Sequence, residues 1–367
     1  MSPLAIPELL DQILRHLIDY PKSKGLLACA LVRRSWKHPA QSNLYWHVLL
    51  AIYPGEPDLH KLDRPCTLLL HTLRSSPHLA RLIRSLELYP EGLSSGNLTA
   101  LLNTPIPMLH TLYLAYRWPT ELSVTGMKQL LARPTLKHVQ IRCSSGDSED
   151  IFQSLFGSLA QSVTEMEFFP GRMFPLVKDT PIVVYRGAPL RIDSFRLKGG
   201  FSAGIFWLES VTTRRYLDFS HLRRLSLGVD YHYLQTPLFV AAARTIEVLK
   251  LDTRHDTGFV DISPYIHIKS LYISCEEDDD IWTAASIIES IRPECTSRIQ
   301  KLGITGPLSD AGMAAIREHV ADTLPVLLDV LEVQYVEPPQ PVGERSPIPP
   351  EYFRRNPSSR YRLGNYF

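Results

Sequence analysis

One short phrase organises most of this 367-residue chain: an apolar residue, two variable residues, an apolar residue, one variable residue and a third apolar residue. The phrase occurs ten times between residues 83 and 333, and its middle apolar residue stands at positions 86, 112, 139, 166, 195, 225, 249, 271, 302 and 331. The spacing averages about 27 residues, which is typical of repeat proteins. The last two apolar residues alternate around one variable residue. This predicts a β-strand with one buried face, because successive side chains of a strand point to opposite sides.

The intervals between the phrases carry helical spacing and helix start signals over residues 67–82, 96–102, 122–132, 148–160, 204–219, 280–292 and 309–324. A unit of one strand and one helix cannot cover its own apolar face, so neighbouring units must stack around a shared core. The predicted fold is α/β, a curved solenoid of about ten strand–helix repeats over residues 83–336. Residues 49–82 form a linker or first solenoid helix that caps it. The pattern, with 54 leucines, resembles the leucine-rich-repeat proteins.

A doubly wound α/β sheet is the alternative, since strands and helices alternate there too. Strands covered by helices on both faces are apolar at nearly every position. Here the residue between the last two apolar positions is mostly polar, as in Glu87, Gln140 and Arg196. The sequence therefore favours the solenoid.

Residues 1–48 differ from the repeats and predict a small three-helix module. Apolar residues follow helical spacing from Ile6 to Leu17, with Pro7 in the first turn and Glu8 near the positive end of the helix dipole. A second apolar segment spans residues 26–32, and a third helix is expected from Trp36 toward Val48. Such short helices bury little surface, so we expect the module to lean on a partner or on the first repeat.

Two segments of this module, IPELLDQILRHL and LLACALVRRSWKHPAQSNLYW, resemble the F-box in the form common in fungal proteins. The resemblance implies a module that docks onto the adaptor Skp1, which joins it to a cullin-RING ubiquitin ligase. The start of the module, Ile6-Pro7-Glu8, is one residue shorter than the family's usual start. Carried onto this sequence, the implied Skp1 contacts are Ile6, Pro7, Leu10, Ile13, Leu14, Leu17, Leu27, Leu31, Val32 and Trp36.

The resemblance also implies that the solenoid recognises a target protein. The chain would then be the substrate-recognition subunit of an SCF (Skp1-cullin-F-box) ubiquitin ligase and would perform no chemistry itself. The alternative is a scaffold outside any ligase, in which the helical module caps the first repeat. In both interpretations the wet face of the strands and the loops after it supply the contacts. The predicted target-binding residues are Tyr113, His138, Arg142, Glu167, Arg196, Arg224, Lys250 and Tyr272.

The sequence contains no phosphate-binding loop, dinucleotide fingerprint, zinc-protease motif or hydrolase elbow, so we predict no catalytic residue, no cofactor and no metal. The acidic run over residues 276–280 lacks the alternating ligand spacing of a calcium loop and is interpreted as the polar start of a helix. Two polar loops, 231–233 and 254–256, follow predicted strands and are interpreted as solvent-exposed rim residues.

Charge and cysteine content limit the partners and the cellular compartment that we expect for this protein. Lys and Arg number 39 against 38 Asp and Glu, so no whole-chain basic field draws nucleic acid or anionic membranes. Five scattered cysteines predict no disulfide framework. With no leader or membrane segment recognised in the sequence, we expect the cytoplasm, the nucleus or both.

The C-terminal residues 337–367 differ again in composition. Six prolines fall between residues 338 and 350 and predict a stiff linker. Beyond them arginine alternates with tyrosine and phenylalanine. Three interpretations stay open: a partly disordered tail, a lid over the solenoid, or a strip that stacks on single-stranded nucleic acid.

Overall fold

A computed structural model describes residues 34–50, 62–116, 121–143, 154–169, 188–198, 216–228, 234, 237–253, 260–275, 277 and 280–335. These residues form two compact units. The first unit contains the described residues up to 137, and the second unit contains those from 138 to 335. None of the described helices is long and apolar enough to cross a membrane.

The first unit alternates helices with parallel strands. Its strand β1 pairs with β2, and β2 pairs with β3. Short 3-10 turns at Pro77–Arg81 and Pro90–Gly92 flank β2. In chain order the elements are α1 (Arg34–Tyr45), β1 (His47–Leu50), α2 (Asp63–Ser75), β2 (Ser85–Leu88), α3 (Ser95–Leu102), β3 (Thr111–Tyr116) and α4 (Glu121–Leu131).

The second unit carries a larger parallel sheet and a separate pair of short parallel strands, β6 (Leu190–Arg191) and β8 (Leu217–Asp218). Its helices are α5 (Pro237–Ala242), α6 (Ile281–Glu289) and α7 (Asp310–Thr323). The strands of the sheet pair in the order β4 (His138–Cys143), β5 (Glu165–Phe169), β7 (Ser194–Lys198), β9 (Arg224–Gly228), β10 (Val248–Thr253), β11 (Ser270–Cys275), β12 (Lys301–Gly306) and β13 (Leu331–Tyr335).

The repeat read from the sequence is confirmed at the level of individual residues. Each of the ten phrases lies on a strand, and within each unit the middle apolar residues of neighbouring phrases are paired in register. In the first unit Leu86 stands opposite Leu112. In the second unit the paired series runs Val139, Met166, Phe195, Leu225, Leu249, Leu271, Leu302 and Leu331, and all but Leu331 are fully buried.

The two faces of the second unit's sheet differ as predicted. Along β5 and β11 the residues alternate between buried and partly exposed from one position to the next. A sheet covered by helices on both faces would bury both sets. The structure is thus an α/β fold with a large parallel sheet that has one apolar face and one wet face.

Several predicted boundaries change. Strand β1 lies before the first predicted repeat and crosses the predicted module boundary at residue 48. Its segment Tyr45–Leu50 fits the repeat phrase once tyrosine is counted as apolar, and Val48 pairs with Leu86. The helix expected toward Val48 ends at Tyr45 instead.

The helical stretch predicted over residues 67–82 divides in two. Helix α2 ends at Ser75, and a 3-10 turn begins at Pro77. Proline disfavours helical backbone in the residue before it, so the α-helix stops at this point. In the stretch predicted over 204–219, the described residues include the short strand β8, so a helix does not reach Phe219.

Threonine side chains link successive repeats by a recurrent hydrogen bond. Thr135 Oγ1 donates to the Leu109 carbonyl in the first unit, and Thr245 Oγ1 donates to the Leu222 carbonyl in the second. In both cases the threonine precedes one phrase and its acceptor begins the phrase before. Arg133 adds a further link, since its guanidinium donates to the carbonyl oxygens of Leu102, Thr104 and Ile106.

Candidate functional site

We define the open face as the solvent-facing side of the second unit's sheet, and its middle row as one exposed, partly exposed or glycine residue from each strand. Residues of the middle row stand directly opposite one another from strand to strand. In order across the sheet they are Gln140, Glu167, Arg196, Ser226, Lys250, Tyr272, Gly303 and Glu332.

A first group of charged side chains, which we call the acid–base cluster, covers β4 to β9. His138 Nε2 lies 3.6 Å from Glu167 Oε1, and Arg196 NH1 lies 3.6 Å from Glu167 Oε2. Arg224 NH2 reaches Glu165 Oε1 at 2.5 Å across the intervening strand, where the small Ser194 stands between them in register. The cluster contains both signs of charge.

Four consecutive residues of the middle row carry side-chain polar atoms that are buried and have no hydrogen-bond partner among the described residues. They are Gln140 Oε1, Glu167 Oε2, Arg196 Nε and Ser226 Oγ. The 3.6 Å approach of Arg196 to Glu167 is electrostatic but too long for a good hydrogen bond. Leaving a polar atom buried and unpaired is costly, so these four atoms mark a part of the open face whose hydrogen bonds are incomplete among the described residues.

A second group, the tyrosine cluster, covers β10 to β13. The Nζ atoms of Lys250 and Lys301 lie 5.6 and 5.7 Å from the centroid of the Tyr272 ring, within the range of cation–π attraction. Lys301 Nζ also lies 3.0 Å from Glu332 Oε2. This hydrogen bond is the main reason that the pKa of Lys301 is raised above its ordinary value.

The absence of a side chain at Gly303 leaves room for the Tyr272 ring. A Cβ atom added at Gly303 would lie 2.8 Å from Tyr272 Cδ1, closer than real Cβ contacts. The ring therefore rests against the backbone of β12, with a lysine on the strand to each side. A positioned aromatic ring flanked by cations is a common element of binding surfaces, because tyrosine supplies contact area and arginine or lysine supplies charge.

The open face has one further aromatic contact at its edge. The Arg142 guanidinium lies 5.4 Å from the centroid of the Phe169 ring, and these residues are paired in register on β4 and β5. They sit two positions beyond the middle row.

The first unit has a smaller polar group of its own. His47 Nδ1 lies 2.8 Å from Ser85 Oγ, and His47 Nε2 lies 3.7 Å from Glu87 Oε2. The His47 ring meets the Tyr113 ring edge-on at a centroid distance of 6.2 Å, and Tyr113 pairs in register with Glu87.

Seven of the eight predicted target-binding residues lie on the open face; Tyr113 lies in the first unit. The structure brings His138, Glu167, Arg196 and Arg224 into the acid–base cluster and Lys250 and Tyr272 into the tyrosine cluster, while Arg142 contacts Phe169. Their role in binding a target stays a prediction. Sequence reasoning missed Glu165, Lys301 and His47. Each lies two positions before the variable residue that separates the last two apolar residues of its phrase, so its side chain is on the same face of the strand as that residue.

The predicted Skp1 contacts from Ile6 to Val32 lie outside the described residues. Trp36 belongs to helix α1 by its backbone, but its side chain is also outside them. The same holds for the loops 231–233 and 254–256 and for the C-terminal residues 337–367.

The acidic run is described only at Glu277 and Asp280. Asp280 stands at the N-cap position of α6, but its side chain makes no cap hydrogen bond to the helix. Its Oδ2 accepts instead from the backbone N–H of Glu277 at 3.1 Å. No group of three or more His, Cys, Asp or Glu side chains in the described part of the chain could hold a metal ion.

Comparison of the chain with family models gives no match, and comparison with curated proteins gives none either. Among solved structures, the chain is similar to the leucine-rich-repeat-containing protein LegL7 from Legionella pneumophila. The similarity covers 77% of this chain and 100% of LegL7, with 13% sequence identity and a TM-score of 0.40.

Proposed function

We propose that this chain is a non-catalytic scaffold that binds a partner protein on the open face. The observation that carries the proposal is the row of charged and aromatic side chains on the open face, in which the acid–base cluster is continued by the tyrosine cluster. A partner's charged and polar groups would pair with these side chains. Tyr272 would supply the aromatic anchor that interfaces favour.

The extent of the open face favours a macromolecule over a small ligand. Eight strands at about 4.8 Å each give a row about 34 Å long. That length suits a protein interface of about 800 Å² per partner, whereas small ligands bind in enclosed pockets. The mixed signs in the two clusters favour a protein partner over nucleic acid, which selects for positive charge alone.

Within this proposal, the more specific role is that of the substrate-recognition subunit of an SCF ubiquitin ligase. Its support is the F-box resemblance of residues 1–48. In this role the N-terminal module binds Skp1, the open face binds the target, and other subunits of the cullin-RING ligase transfer ubiquitin. The chain contributes proximity, which raises the effective concentration of the target near the transferring enzyme.

The scaffold proposal is tested by quantitative crosslinking mass spectrometry on cells that express the full-length chain. Proteins that crosslink to the open face should be lost with Tyr272→Ala combined with Arg196→Ala. They should be retained with Trp282→Ala, a matched truncation of an exposed aromatic residue on helix α6. The proposal would be overturned if the unmodified chain, the double variant and Trp282→Ala all recovered the same crosslinked proteins in equal amounts, provided that circular dichroism shows each chain to be folded.

The ligase role is tested separately with purified Skp1 and the full-length chain in a calorimetric titration. Leu10→Glu combined with Leu14→Glu should abolish binding, because it places charge in the implied interface. Tyr272→Ala should bind Skp1 normally. If the unmodified chain does not bind Skp1, the ligase role fails and the scaffold proposal stands.

A further inference from the structure

A second surface of the second unit is strongly basic, and none of the described residues that line it belongs to the middle row of the open face. It is a depression of about 560 Å³ formed by the residues that immediately precede the strands β9 to β12. One residue from each of four successive repeats lies along this depression: Arg223, Glu247, Lys269 and Gln300. Backbone hydrogen bonds join them in sequence, since each of the last three donates its N–H to the carbonyl of the residue before.

Charge is concentrated in this depression although the whole chain is almost neutral. Among the described residues, its lining contains four basic side chains, Arg223, Arg244, Lys269 and Arg298, and one carboxylate, that of Glu247. The net formal charge of the lining is therefore +3, against +1 for the entire sequence. His221 and His267 also line the depression and add further charge when protonated.

The hydrogen-bond donors of these basic side chains are not all paired within the described residues. Lys269 Nζ binds Glu247 Oε2 at 3.0 Å, and Arg298 NH1 donates to the Ile266 carbonyl at 3.1 Å. Arg223 and Arg244 are exposed, and neither has a carboxylate within salt-bridge distance among the described residues. Two arginine side chains with several free donors thus line the same depression.

The physical setting defines the class of ligand. The lining residues are mostly exposed, and none of those described is aliphatic or is Phe, Tyr or Trp, which disfavours a small molecule that must be enclosed or an inserted lipid chain. The cations are spread over four strands, about 14 Å, so they match charges distributed along a ligand rather than one ion. An extended peptide covers that length in about five residues, with alternate side chains on one side.

We propose that this depression binds an acidic peptide segment of a partner protein, laid across the starts of β9 to β12. Glutamate or aspartate side chains at alternate positions contact Arg223, Arg244 and Arg298, whose guanidinium donors are not all used within the described residues. The site is separate from the open face and goes beyond the proposed function. Glu247 opposes the ligand, because it is the one carboxylate among the described residues of the lining.

The test is fluorescence anisotropy of the full-length chain with a labelled heptapeptide in which glutamate alternates with serine. We expect binding that weakens as salt is raised, because exposed charges are screened. Arg223→Gln combined with Arg244→Gln should weaken binding roughly tenfold, and Glu247→Gln should strengthen it about two- to fivefold. The matched control Arg317→Gln, on the exposed side of α7, should change nothing.

Three results would overturn the proposal: no binding of the peptide, equal binding by the double arginine variant, or equal binding of a peptide in which lysine replaces glutamate. Pyrophosphate alone is the comparison ligand. If it displaces the peptide at concentrations below the peptide's own Kd, the site is one for a small polyphosphate. Tyr272→Ala should leave peptide binding intact, so this test and the test of the open face fail independently.

Discussion

Two glycines differ sharply in the space around them. A Cβ atom at Gly306, at the end of β12, would lie 2.6 Å from the Cys275 carbonyl oxygen, whereas one at Gly96, in helix α3, would have nothing within 4 Å. Backbone cannot yield easily, so Gly306→Ala should lower the free energy of unfolding by about 1–3 kcal/mol. Gly96→Ala should leave it unchanged or raise it by up to about 1 kcal/mol, because alanine is the better helix former. Urea denaturation of both variants measures the difference, and equal midpoints would contradict it.

Cys66 is a second residue whose surroundings determine its chemistry. Burial, with a smaller contribution from the nearby Asp63 carboxylate, raises the pKa of the Cys66 thiol to about 11. At pH 7.5 its thiolate is therefore roughly a hundredfold scarcer than for a thiol with the reference value of 9.0. We expect iodoacetamide to label Cys66 far more slowly in the native chain than in urea, as read by peptide mass spectrometry. Labelling at the same rate in both states would show that Cys66 is exposed.

At the scale of the element, the two faces of one strand should respond to truncation by very different amounts. Leu271 of β11 is fully buried and pairs with Leu249 and Leu302, while Ser274 of the same strand is on the open face. Leu271→Ala should cost about 2–5 kcal/mol by lost burial and a residual cavity. Ser274→Ala should stay within about 0.5 kcal/mol. Chemical denaturation tests the pair, and a loss for Ser274→Ala as large as that for Leu271→Ala would contradict the assignment of faces.

The row of residues that immediately precedes strands β9 to β12 predicts a pH dependence of folding stability. The hydrogen bond from Lys269 lowers the pKa of Glu247 below its ordinary value, and the positive charges of Lys269, Arg223 and His267 act in the same direction. A carboxyl group with a lowered pKa stabilises the folded state at pH values above its unfolded pKa, and this contribution is lost as pH falls through the folded pKa. Glu247→Gln should therefore shift the urea midpoint downward at pH 7 and have no effect near pH 3. A shift that persists at pH 3 would assign the effect to packing.

Across the whole molecule, protection from exchange should follow the number of strand neighbours. Strands β9 to β12 each pair on both sides, whereas β13 pairs only with β12 among the described strands, and its Tyr335 is exposed. Repeat arrays are stabilised by nearest-neighbour contacts, so the last strand opens most easily. Hydrogen-exchange mass spectrometry should find peptides from β13 exchanging well before those from β11. The reverse order would contradict a nearest-neighbour array.

The sequence predicted the repeat well because one period-two phrase sets the direction of every strand side chain. It predicted the surfaces less well. Lys301 meets both Tyr272 and Glu332 only through the register of three strands, and the residues of the basic depression are separated by up to 79 positions in the chain. Such adjacency is invisible until the register is known. The break between α2 and the 3-10 turn at Pro77 was readable from the proline, but helical periodicity alone obscured it.

The shared register of the strands has a consequence for how such a chain can change through evolution. The connections between successive phrases vary in length, yet the middle apolar residues still stand opposite one another. Insertions between strands are therefore tolerated, while a one-residue shift inside a strand would exchange its buried and wet faces. Duplication of one complete repeat would lengthen the open face by about 4.8 Å and leave every other pairing intact. The binding surface can thus grow in fixed steps to match a partner's size.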